Sequence, residues 1–91
     1  MARVKRRTAM PLEARDAALE RDGWNCVALA RGLTGNCQGP LEVHHRLRRS
    51  QGGTHDLDNL ACLCLGHHAW VHANPAESYR NGLLVRSGVA A

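Results

Sequence analysis

All six histidines of this 91-residue chain fall between His44 and His72, and Cys62 and Cys64 lie in the same stretch. No other feature limits the fold as much. A chain of this length with no Phe, two Trp and one Tyr buries only a modest apolar area and commonly needs a metal or disulfides as a staple. One domain is expected, and a second independently folding core is excluded on length. No run approaches about 18 consecutive apolar residues, so no membrane partner is expected. The N-terminus is basic and lacks an apolar segment of the kind that marks secretion. A cytoplasmic location follows as the expectation, and the four cysteines read as metal ligands or core thiols rather than a disulfide framework.

Twelve Lys and Arg against eight Asp and Glu leave a net charge of +4. Four of the basic residues, Arg3, Lys5, Arg6 and Arg7, sit in residues 1–10, where no apolar period organises them. That segment reads as a flexible basic arm, either neutralising phosphates or merely solvated, ahead of a single domain over residues 11–91. Pro11 to Asp22 is predicted to be helical: Thr8 is a candidate cap, Pro11 suits a first turn, and Gly23 is a natural stop. Leu12, Ala18, Leu19 and Trp24 form its weakly apolar stripe. After a loop-rich stretch closed by Gly39 and Pro40, Leu41 to Arg46 is a short strand with Leu41 and Val43 on one face and Glu42 and His44 on the other. A polar loop over residues 47–58 leads to a second strand, Asn59 to Leu63. A helix then runs from Leu65 or Gly66 to Asn74 and stops before Pro75. A helical turn at residues 76–80 and a final strand, Leu83 to Arg86, complete a small α+β chain.

His68 and His72 are four apart on the predicted helix, so both imidazoles leave one face and can converge on one metal. His44 and His45 are strand neighbours and point to opposite faces; one can complete a metal site while the other approaches a substrate from elsewhere. Cys64 and His67 form a chelating turn at a helix start, and the wide Cys26–Cys37 loop can supply two more soft ligands. Four such ligands describe a closed structural zinc site. Cys62 competes, either as a replacement ligand or as a core thiol. Asp56 and Asp58 read as turn or capping residues, and His55 is left without an assignment.

The run LEVHHRLRRSQGGTHDLDNLACLCLGHHAWVH, with RDGWNC upstream, resembles the HNH endonuclease family, also called the ββα-metal or His-Me finger. The resemblance covers roughly residues 20 to 75. It implies a zinc-stapled ββα finger behind an N-terminal helix. It further implies that His45 is the general base activating water and that Asn59 pins the loop bearing the base. His44, His68 and His72 would hold one catalytic divalent ion, with His68 in the family's final catalytic position. Many members have Asp where His44 stands. Three imidazoles here favour zinc, nickel, cobalt or manganese over magnesium. A second departure is His67, which stands where the family often has Cys; with Cys26, Cys37 and Cys64 it still forms a sound Cys3His zinc set.

The implied function is metal-dependent hydrolysis of DNA phosphodiester bonds, by nicking or by double-strand cleavage. Arg46, Arg48 and Arg49 follow the base directly and are expected to contact DNA phosphates through their guanidinium forks. Phosphate contacts carry no sequence information, so weak intrinsic selectivity is expected. Resemblance alone adds a bacterial or phage-infected host and a phage packaging (terminase) partner. The expected protein is a monomer or weak dimer. Two other classes compete: a non-catalytic zinc-stabilised module that binds nucleic acid, and a toxin-like nuclease. A binding module has no need of His45, His68 and His72 beside a structural zinc site, and no receptor-binding segment supports the toxin reading.

Overall fold

The computed structural model describes residues 9–87. Almost all of the expected basic arm, with Arg3, Lys5, Arg6, Arg7 and Thr8, lies outside the described residues. Three helices and two strands follow in order: α1 (Leu12–Arg21), β1 (Leu41–His45), β2 (Leu60–Cys64), α2 (Leu65–Ala73) and α3 (Pro75–Arg80). Single 3-10 turns sit at Leu29–Arg31, Arg49–Gln51 and Leu57–Asn59. The fold is a small α+β unit with a two-stranded antiparallel sheet. No helix among the described residues is long and apolar enough to cross a membrane.

The hairpin is a layer between two apolar clusters. Val43 pairs with Cys62 and His44 with Ala61, so the period-2 alternation of side chains divides both strands in the same way. Leu60 and Cys62 pack with Ala18 and Leu19 of α1, joined by Leu41 and Val43. Ala61 and Leu63 pack on the other side with Val71 of α2 and with Ala28, Leu33, Leu83 and Leu84. Every residue of β2 is therefore buried, which explains its nearly continuous apolar sequence. Its outer edge is covered as well. The Cys62 amide donates to the Asp22 carboxylate, and the Cys62 carbonyl accepts from the Val27 amide.

Three expectations change. Trp24 does not join the stripe of α1. Gly23 and Trp24 both take left-handed backbone, at φ 64° and 60°, while the Trp24 amide closes the helix on the Leu19 carbonyl. That reversal turns the indole outward, leaving it 58% exposed, and Leu12 is exposed as well. The second strand begins one residue later than expected, because Asn59 is the last residue of a 3-10 turn. No third strand forms at Leu83 to Arg86 among the described residues. The Val85 amide makes one rung to the Arg46 carbonyl, but the Leu84 amide turns to the Ser78 carbonyl, and the Leu83 carbonyl is taken by the His44 ring. With its groups drawn in three directions, the segment cannot extend a ladder.

The loop from 46 to 59 is held from inside by Asn59, which is 3% exposed. Its side-chain oxygen accepts from the Leu47 amide at 2.7 Å. Its side-chain nitrogen donates to the carbonyls of Leu47 and Thr54 at 3.1 and 3.0 Å. The loop passes so close to itself that a Cβ on Gly53 would lie 1.8 Å from the Leu47 oxygen. Glycine is the only residue that fits.

Arg46 ties this loop to the C-terminal segment. Its guanidinium donates to the Gly82 carbonyl at 2.7 Å and the Asp58 carbonyl at 2.9 Å. Arg46→Met is therefore expected to lower stability by about 1–2 kcal/mol, since both carbonyls lose a charged donor. The check is urea unfolding with an unchanged slope; a midpoint indistinguishable from wild type would contradict this tethering role.

Candidate active site

Cys64 ends β2 and caps α2. Its sulfur accepts from the amides of His67 and Gln38, at 3.3 and 3.4 Å. The His67 ring donates through Nε2 to the Thr34 carbonyl at 3.0 Å. That bond fixes the tautomer and leaves Nδ1 as a lone pair. Nδ1 faces the sulfurs of Cys64, Cys26 and Cys37 at 3.1, 3.6 and 3.7 Å. All four ligand atoms lie within 4.8 Å of one another. Burial opposes ionisation of the Cys64 thiol, but the His67 and Gln38 amides and the His67 ring outweigh it and bring its pKa down to about 6. The Cys37 thiol is pushed up to about 11, by desolvation and then by Cys26 and Cys64. Three sulfurs so close together ionise together only around a cation, so the set fits a structural zinc ion.

Cys62 stands apart from this group. It packs in the apolar layer beneath α1, and its thiol is pushed up to about 11 by burial and then by Asp22. Of the two roles open to it in the sequence, the structure gives it that of a core thiol.

The second cluster lies on the next face of α2. His44 is 1% exposed, and its Nε2 donates to the Leu83 carbonyl. Its Nδ1 is buried with no hydrogen-bond partner among the described residues. His68 donates through Nδ1 to the Glu42 carboxylate at 2.7 Å, leaving its Nε2 only 3.2 Å from Nε2 of His72. The ligand atoms of His44, His68 and His72 lie within 4.8 Å of one another. Burial, reinforced by the two neighbouring imidazoles, holds His44 at about 4 in spite of the Leu83 carbonyl. Burial, then His68 and Arg48, also lowers His72. Burial thus favours the uncharged form of His44 and His72, and the hydrogen bonds of His44 and His68 leave lone pairs converging, with the Nδ1 of His44 orphaned. That is the donor chemistry a borderline divalent cation takes, and the residues fit one.

His45 points to the opposite face of β1 from His44 and is in neither group. Its Nε2 lies 2.9 Å from Nδ1 of His55, and burial, then His55 and Arg49, lowers its pKa. His44, His45, His68 and His72 open together on a cleft of about 260 Å³ that Arg48 and Arg49 also line. Arg48 keeps a buried Nε without a hydrogen-bond partner among the described residues. Arg46, expected beside them as a phosphate contact, lies elsewhere, because its guanidinium is held by the carbonyls of Gly82 and Asp58. Asn59 is beneath the loop rather than in the cleft. Two partners went unread in the sequence. Glu42 could have been found by strand parity with His44, whereas nothing local marks His55 as the neighbour of His45.

Two outcomes are expected here. Cys64→Ser should lose zinc and its folding transition, whereas Cys62→Ser should keep both. Equal zinc loss in the two variants, measured as metal per chain alongside circular dichroism, would mean the ligand set is wrong. For the imidazole site, the lowered pKa values of His44 and His72 keep those two donors neutral below the ordinary histidine value. Cobalt bound there should stay in place as pH falls through about 6.5 and leave only nearer the value of about 4 for His44. Release above about 6.5, followed by cobalt absorption lacking thiolate bands, would contradict this.

The model of the HNH endonuclease family matches residues 32–73. No curated protein and no solved structure matches the chain. The matched span holds β1, β2 and α2, the cleft histidines and three of the four Cys3His residues, only Cys26 lying upstream. Over residues 32–73, this chain is similar to the HNH endonuclease family.

Proposed function

We propose that the tri-histidine cleft is the catalytic centre of a metal-dependent endonuclease that hydrolyses DNA phosphodiester bonds, with the Cys3His cluster holding a structural zinc. One observation carries this reading. A set of convergent imidazoles with an orphaned donor, His44 Nδ1, opens on the same cleft as a histidine, His45, that is not among them. A ligand set alone would suit a binding module; a free base beside it suits hydrolysis.

In this proposal His44, His68 and His72 hold one divalent ion: zinc, nickel, cobalt, manganese or magnesium. When bound, that ion supplies Lewis-acid stabilisation of phosphoryl charge and of the leaving 3′ oxygen. His45 takes the proton of the attacking water at the ring nitrogen not engaged with His55, a task suited to an imidazole that burial, His55 and Arg49 hold toward its uncharged form. Arg48 and Arg49 hold phosphate oxygens through charge-assisted hydrogen bonds. Asn59 keeps the loop that carries them in register with His45. Glu42 orients His68, as carboxylates behind ligating histidines do. Imidazole ligands add no negative charge, so the positive charge of Arg48 and Arg49 along the cleft attracts the phosphate backbone. A phage terminase partner and a role in DNA packaging or processing rest on family resemblance alone.

Plasmid relaxation tests the proposal. Cleavage should stop in EDTA before the fold melts, and return with manganese, nickel, cobalt or zinc at least as well as with magnesium. The ends should be 5′-phosphate and 3′-hydroxyl. His45→Ala should lower the rate by about 10²–10⁴ while keeping fold and metal content. Cleavage within tenfold of wild type in that variant, or DNA binding with no cleavage under any metal, would overturn the proposal.

A further inference from the structure

We infer that His55 is a positioning residue for His45: the pairing of His45 Nε2 with His55 Nδ1 holds the His45 ring in the tautomer that turns Nδ1 into the proton acceptor. The inference rests on the reading of His45 as the base and goes beyond it, naming what sets the orientation and proton position of that base.

The two nitrogens are 2.9 Å apart, with ring centroids 5.1 Å apart and planes at 67°. Each neutral imidazole carries one N–H, so one ring donates in this bond and the other accepts. If His45 donates, both rings carry their proton on Nε2, the intrinsically preferred neutral tautomer. If His55 donates, both rings must carry it on Nδ1, and His45 would offer a hydrogen where the base needs a lone pair. The first arrangement is favoured twice over. When His45 gains a proton, its Nε2–H stays on His55 and the bond becomes charge-assisted.

The position of His55 is not left to a loose loop. Asn59 grips the Thr54 carbonyl immediately before it, at 3.0 Å. After it, the Asp56 amide donates to the Thr54 hydroxyl at 3.3 Å, and that hydroxyl donates to the Asp56 carboxylate at 3.0 Å. Gly53 is locked against Leu47 because no side chain fits there. On the other side, the Asn59 carbonyl accepts from the Arg46 amide at 2.8 Å, one residue beyond His45. Both histidines are thus referenced to the same asparagine, one through its side chain and one through its backbone. Such a shared reference fixes a distance between two rings that are ten positions apart in sequence.

The test compares His55→Leu, which cannot accept a hydrogen bond, with His55→Asn, whose side-chain oxygen can stand near the Nδ1 position. Both are compared with wild type as isolated with zinc. His55→Leu should lower kcat about 10–100-fold with KM within about twofold and zinc content unchanged, the range typical of an orienting partner. His55→Asn should stay within about fivefold of wild type, as a rescued hydrogen bond should. Nitrogen-15 NMR of the imidazoles should find His45 protonated at Nε2 in wild type and a tautomer mixture in His55→Leu. A wild-type His45 protonated at Nδ1, or His55→Leu cleaving at the wild-type rate, overturns the inference. If wild type cuts no DNA under any metal, the nuclease reading fails; the tautomer spectrum still decides the role of His55.

Discussion

The sulfur of Cys64 stands where a strand becomes a helix, and both clusters depend on that junction. As the cap of α2 it accepts the His67 amide, which fixes where the helix starts and therefore how it is rotated. With that rotation set, His67 turns to the thiols, and His68 and His72 turn to His44 on β1. One capping bond thus orients two candidate metal-ligand sets on adjacent faces of a nine-residue helix. A chain with no Phe and a core of mostly Leu, Ala and Val has little other means of fixing so short a helix.

Asn59 does the equivalent work for the loop. A buried amide side chain is costly unless its hydrogen-bonding capacity is satisfied, and here it is matched to backbone groups of Leu47 and Thr54. The loop has no ladder of its own, so this side chain takes the place that a third strand would have. Gly53 permits the close approach that the arrangement requires. Rigidity in the Arg48–His55 region is therefore borrowed from one residue at the foot of β2.

The parts legible in the sequence were those that depend on local period. Alternation separated His44 from His45, the i, i+4 spacing joined His68 to His72, and the Cys64–His67 turn marked a chelating helix start. Less legible were partners chosen by backbone carbonyls, which carry no residue-type signal. Arg46 looked like its neighbours Arg48 and Arg49, yet the carbonyls of Gly82 and Asp58 claim it. Leu83 to Arg86 had strand composition, but the Leu83 carbonyl serves His44 instead of a ladder. Trp24 fell in the stripe of α1 by spacing, and a left-handed pair at the helix end turned it outward. His55 lies ten residues from its partner, across a loop whose path is set by Asn59.

The carbonyl of Leu83 also gives a physical reason for a histidine at position 44. That side chain is almost fully buried at the floor of the cleft, and a backbone oxygen faces it. A carboxylate there would set acceptor against acceptor in a buried place, an arrangement that costs free energy. An imidazole resolves both demands at once, donating from Nε2 to the carbonyl and leaving Nδ1 as a lone pair toward His68 and His72. The C-terminal segment, remote in sequence from the hairpin, thereby favours an imidazole at this position. That side chain also adds no negative charge to the cleft it lines.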